Sequence, residues 1–128
     1  MTWPVVEFDH RDPILQGSVA VTGVYVYRQT AIRQLAHLLI FGDNPSGEIF
    51  YVDADALPDG GQSAIRRILF NDNGARKTLL QLIRDKNTAQ GKPPATRADL
   101  RLGVGNDGQM FVLNKRDGVI RLLVPDGK

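Results

Sequence analysis

The chain has 128 residues, which fits one ordinary domain or a piece of a larger one. Hydrophobic residues make up 42% and charged residues 23%, enough for a packed core under a soluble surface. The net charge of +2 is too small and too scattered to argue for a nucleic-acid partner; the absence of cysteine excludes disulfides and thiolate chemistry, and no apolar run approaches a membrane span.

Met1-Thr2-Trp3-Pro4 lacks a signal-peptide pattern, so the sequence reads as a mature domain or as a piece cut from a longer protein. Val5–Asp9 alternates Val5, Glu7 and Asp9 against Val6 and Phe8, a short strand with one wet face that His10-Arg11-Asp12-Pro13 ends. Ile14–Ser18 reads as loop, with Gly17 as its breaker. Val19–Arg28 crowds valines with Tyr25 and Tyr27 as strands favour. Thr30–His37 places Ile32, Leu35 and Ala36 at helical spacing, but its length leaves a helical turn and an irregular crossover both open. Leu38–Phe41 is a second strand, and Gly42-Asp43-Asn44-Pro45-Ser46-Gly47 is rich in turn-forming residues. Glu48–Asp53 then resumes alternation, giving an antiparallel meander.

Ala56–Gly61 is a loop, and Ala64–Phe70 fits a strand or a helical turn equally well. Asn71-Asp72-Asn73-Gly74 signals a turn, the apolar run Thr78–Ile83 a strand, although its Leu and Gln leave helix open, and Asp85–Ala95 a flexible surface loop. The end of the chain is clearer. Leu100–Val104, Met110–Asn114 and Val119–Val124 are strands separated by the Asp107-Gly108 and Asp117-Gly118 turns, both strong hairpin signals.

These elements predict an all-β fold of antiparallel meanders arranged as about two blades of a β-propeller. The first blade, with the N-terminal strand and a connecting loop, spans 1–95, and the final meander spans 96–128. A propeller needs typically four to eight blades, so the chain is expected to be a fragment of one. A two-sheet β-sandwich uses the same strands and is the alternative. Val5–Asp9 is expected to pair with the last meander as its outer strand, and the exposed blade faces are expected to drive homodimer formation.

Several groupings of residues invite chemistry. Asp53, Asp55 and Asp59 cluster as calcium-binding carboxylates do, but without the remaining spacing of a calcium loop, so no metal site is expected. Gly103–Gly108 matches G-x-G-x-x-G, yet a strand follows it rather than a helix, so it reads as a hairpin turn. Ser18, Ser46 and Ser63 lack a histidine and an acid at a recognisable spacing. Arg66-Arg67 and Arg76-Lys77 read as solvated surface charge. Arg28, Asp43 and Arg97 each stand at the end of a predicted strand, where propellers display their ligand-facing loops, and are the candidate ligand-facing residues.

Taken in order, Val5–His10, Thr22–Arg28, Ile40–Asp43, Ser46–Phe50, Asp99–Arg101 and Gly108–Leu113 resemble the glucose/sorbosone dehydrogenase family over nearly the whole chain. The resemblance implies a six-bladed β-propeller, secreted or periplasmic, that oxidises sugars or aldehydes with pyrroloquinoline quinone. This chain would be its last two blades, with the remaining blades as its partners. The family's general-base histidine lies in the earlier blades, and neither His10 nor His37 matches its motif, so no catalytic residue is expected here and the isolated chain is expected to be inactive. Quinone-binding members carry a lysine in the turn corresponding to Asn44–Gly47, which holds none here. They also carry an Arg-x-Arg-Asp run where this chain has Thr96-Arg97-Ala98-Asp99; Arg97 falls between the two arginine positions, a shift that on a strand turns a side chain to the other face. No cofactor is therefore expected in this chain. A non-enzymatic propeller serving as a binding or interaction module is the alternative.

Overall fold

The computed structural model describes residues 4–7 and 20–126. They form a mostly β structure of antiparallel sheets with one α-helix. Strands β1 (Val21–Val26), β2 (Leu38–Asp43), β3 (Ile49–Asp53) and β4 (Arg66–Ile68) lie in sequence order in a four-stranded sheet. A small hairpin, β5 (Phe70–Asp72) and β6 (Ala75–Lys77), follows. Its turn residues Asn73 and Gly74 both have positive φ, 52° and 93°, the combination whose twist matches that of the flanking strands. Helix α1 (Leu79–Ala89) leads to a three-stranded sheet of β7 (Leu100–Val104), β8 (Met110–Asn114) and β9 (Ile120–Leu122). No helix among the described residues is long and apolar enough to cross a membrane.

Register decides which side chains share a face. In the first sheet Tyr25, Ile40 and Tyr51 stand opposite one another, as do Gly42 and Ile49. This face packs on Leu100, Leu102, Met110 and Val112 of the third sheet and on Leu79 and Ile83 of α1, in one apolar cluster. The approach is closest at Gly42, where a Cβ would run into the Leu100 side chain. On the reverse face Val24, Phe41 and Phe50 form one row and Val26, Leu39 and Val52 another. Phe41 and Phe50 stack at 5.7 Å between ring centroids, with Val6 and Ile65 packed on the same cluster. The third sheet also carries apolar side chains on both faces, with Arg101 beside Leu113 on the outward one. Its outward side presents Phe111 paired with Leu122 and Leu113 paired with Ile120, and Ile120 is 67% exposed.

The strand positions agree with the sequence reading in both meanders, β7 and β8 with their bounds as predicted. Thr30–His37 contains a 3₁₀ turn at Arg33–Leu35, the helical alternative, and Ala64–Phe70 contributes β4 and the first residue of β5.

Thr78–Ile83, read as a strand with helix left open, takes the helical alternative as the cap and first turns of α1, and the predicted loop Asp85–Ala95 is helical to Ala89. The cause is local. The Thr78 side chain accepts from the Gln81 N–H while the Gln81 side chain accepts from the Thr78 N–H, a capping box that supplies about 1 kcal/mol at the helix start. Leu79, Ile83 and Asn87 then fall on one buried face.

The expected pairing of Val5–Asp9 with the final meander is also overturned where it can be followed. Glu7 N–H donates to Gly61 O and Gly60 N–H donates to Val5 O, both at 2.8 Å, so this segment runs along the loop after β3. Phe8, Asp9, His10 and the loop Ile14–Ser18 lie outside the described residues.

Candidate functional site

Three connections converge at one end of the two sheets: the β2–β3 turn, residues 96–99 leading into β7, and the β8–β9 turn. The β2–β3 turn is built on Asp43, which is fully buried. Its Oδ1 accepts from Ala20 N–H at 2.7 Å and its Oδ2 from Ser46 N–H at 3.0 Å, while its carbonyl accepts from Gly47 N–H. The carboxylate is therefore spent on backbone donors that would otherwise be buried without partners. The turn places Asn44 against the free edge of β7, where its carbonyl accepts from Leu100 N–H and its Nδ2 donates to Leu100 O, both at 2.9 Å.

Arg97 reaches across this junction. Its Nε donates to Asp99 Oδ1 at 2.9 Å and its Nη2 to Asn44 Oδ1 at 3.4 Å. Asp99, 8% exposed and with φ of 53°, also pairs through Oδ2 with Arg116 Nε at 2.5 Å. Beside these groups lies a cavity of about 530 Å³, lined by Asn44, Arg97, Asp99, Arg101, Leu113, Asn114 and Lys115. Asn114 shapes the β8–β9 turn, its Oδ1 accepting from Arg116 and Asp117 N–H. Asp117 in turn accepts from Val119 N–H and holds Arg121 at 2.7 Å. The cavity thus combines cationic walls with one carboxylate at its base, an arrangement that can receive an anionic group only in competition with Asp99.

Two of the sequence-predicted candidates meet here and one does not. Asp43 underlies the turn rather than facing a ligand, and Arg97 lines the cavity. Arg28 is exposed at the opposite end, past β1, beside Gln29, which packs against the β7–β8 turn. The parity reading of Arg97 does not apply, because β7 begins only at Leu100 and Asp99 breaks the extended run. Asp99, Arg101, Lys115 and Arg116 were not singled out from the sequence; the run Arg97-Ala98-Asp99-Leu100-Arg101 was the one signal that could have found them.

The other groupings dissolve into local structure. Asp53 Oδ1 accepts from Asp55 N–H, and Asp55 lies 3.5 Å from His37 Nδ1, so the two acids serve their own turn. Arg67 pairs with the buried Glu48 at 2.8 Å, and Lys77 bridges Asp72 and Asp85. Gly103–Gly108 is the β7–β8 hairpin.

Burial pushes the Asp99 carboxyl up, but the Arg97 hydrogen bond and the charges of Arg116 and Arg97 outweigh it and hold the group below its ordinary value. Asp117 is lowered in the same way, burial being outweighed by Arg121 and the Val119 N–H. Glu48 moves oppositely, its burial outweighing Arg67. A depressed carboxylate stabilises the fold above its unfolded pKa of about 3.9, and that stabilisation is lost as pH falls toward the folded value. Glu48, being raised, stabilises the fold at low pH and loses that contribution as pH rises through its folded value. Asp99→Asn should therefore flatten the acid limb of the stability profile below about pH 4 relative to the unmodified chain. Urea unfolding at stepped pH checks this, and an unchanged acid limb would mean that the two ion pairs contribute nothing.

No family model, curated protein or solved structure matches the chain.

Proposed function

We propose that this chain is the C-terminal portion of a β-propeller of the glucose/sorbosone dehydrogenase type, about two blades of a six-bladed ring, divided near residue 95. The observation that carries the reading is that each of the two larger sheets carries rows of apolar side chains on both faces. A sandwich turns polar residues outward from both sheets, whereas a sheet stacked between neighbours needs apolar residues on both sides. The outward row of Phe111, Leu113, Ile120 and Leu122 is the surface that a further blade would cover.

In the parent, sugars or aldehydes would be oxidised with pyrroloquinoline quinone in the periplasm or outside the cell, with the general-base histidine on the other blades. The cavity residues of this chain do not fit the quinone, because Asp99 already pairs with Arg97 in the lining and with Arg116 beside it. The same ion pairs favour the second reading, a propeller that serves as a non-enzymatic binding module.

The isolated chain should show no dye-linked oxidation of glucose or sorbosone with added quinone, and turnover in that assay would overturn the proposal. The coding sequence upstream of Met1 should encode further blade-length meanders; their absence would overturn both propeller readings. The uncovered faces should also drive dimer formation at high concentration, and sedimentation as a strict monomer would count against stacked blades.

A further inference from the structure

We propose that Asp99 is a built-in counter-ion that occupies Arg97 and Arg116, so that the cavity beside β7 rejects polycarboxylate ligands such as the quinone rather than binding them. The proposal rests on the reading above only for the identity of the quinone; its geometry stands without it.

A ligand carrying several carboxylates needs several converging cations with free donors. Around this cavity each arginine already has a partner. Asp99 takes Arg97 Nε at 2.9 Å and Arg116 Nε at 2.5 Å, one on each carboxylate oxygen. Arg97 Nη2 is turned to Asn44 Oδ1 at 3.4 Å. Arg101 Nη1 donates to Leu100 O at 3.0 Å, which leaves Lys115 as the cation of the lining without a described ion pair or hydrogen bond. An entering anion would also meet the Asp99 charge, which burial strengthens at short range.

The backbone at Asp99 is also held in place. Ala98 N–H donates to Pro45 O at 2.7 Å and Leu100 N–H to Asn44 O at 2.9 Å, so both neighbours are pinned to the β2–β3 turn. Its φ of 53° lies in the left-handed region, where Asp and Asn are among the few side chains tolerated. The backbone is thus fixed on either side of Asp99, and the carboxylate itself is held by its two arginines.

The experiment is calorimetric titration of the intact 128-residue chain at pH 7 and low salt, with pyrroloquinoline quinone and separately with citrate, a tricarboxylate without a quinone. The unmodified chain should bind neither saturably. Asp99→Asn keeps the backbone conformation and removes the charge, so it should bind both at least about tenfold more tightly. Adding Arg97→Gln should cancel the gain. Should Asp99→Asn lose its cooperative thermal transition, Asp99→Gly meets the same φ and takes its place. Saturable micromolar binding by the unmodified chain, or no gain in the charge-free variants, would overturn the proposal. Failure of the blade reading would leave these titrations unchanged.

Discussion

Leu100→Ala should lower the unfolding free energy by about 3 kcal/mol, within the usual range for a fully buried leucine. Leu100 belongs to the cluster shared by both larger sheets and α1, so the cavity left behind would be lined from three elements that cannot all close on it. Gly42→Ala should by itself cost about 1–3 kcal/mol, because its methyl meets the Leu100 side chain. Gly42 is not among the glycines with positive φ, so this cost is packing and not backbone strain. The two changes should therefore compensate. The double variant should lose at least about 1 kcal/mol less than the sum of the single losses, as neighbours that share one volume do. Urea unfolding followed by circular dichroism measures all three, and strict additivity would mean that the sheets do not meet at this pair.

Gly47→Ala should cost about 3 kcal/mol, from a left-handed backbone position combined with overpacking. Gly47 has φ of 76°, and an added Cβ would lie 2.6 Å from Ala98 Cβ and 3.3 Å from Leu79 Cβ. Neither neighbour can rotate away, since both are Cβ atoms set by their own backbones. Gly74→Ala isolates the strain, because Gly74 has φ of 93° and an added Cβ there would meet nothing within 4 Å. That variant should lose only about 1–2 kcal/mol. Equal losses at the two sites would show that the β2–β3 turn, residue 98 and α1 are not pressed together as described.

The sequence reading succeeded where a short-range rule sufficed. β7 and β8 flank an Asp-Gly turn and alternate cleanly, so pattern and turn chemistry agree on their bounds. It preferred a strand to a helix at the start of α1 because the density of Leu79, Leu80, Leu82 and Ile83 outweighed their spacing. Thr78 and Gln81 had the capping-box separation, which a count of apolar residues ignores. The pairing of the N-terminal segment was out of reach for another reason: its partners at Gly60 and Gly61 are more than fifty residues distant, and alternation says nothing about which edge a strand meets. The site divides in the same way. Arg97 was legible as a cation before a strand, but Asp99 gains its importance from a positive φ and from Arg116 in another turn. Asp43 looked ligand-facing because it ends a strand, whereas its carboxylate answers the backbone N–H groups of Ala20 and Ser46.

The bonds from Ala98 N–H to Pro45 O and from Leu100 N–H to Asn44 O run between the two larger sheets rather than within either. These two amides can exchange hydrogen with solvent only when the sheets come apart at the β2–β3 turn. Amides of β8, which is flanked by a strand on each side, need the third sheet itself to open. The difference in protection between the two groups is therefore a direct reading of the free energy that separates undocking of the sheets from unfolding of one of them.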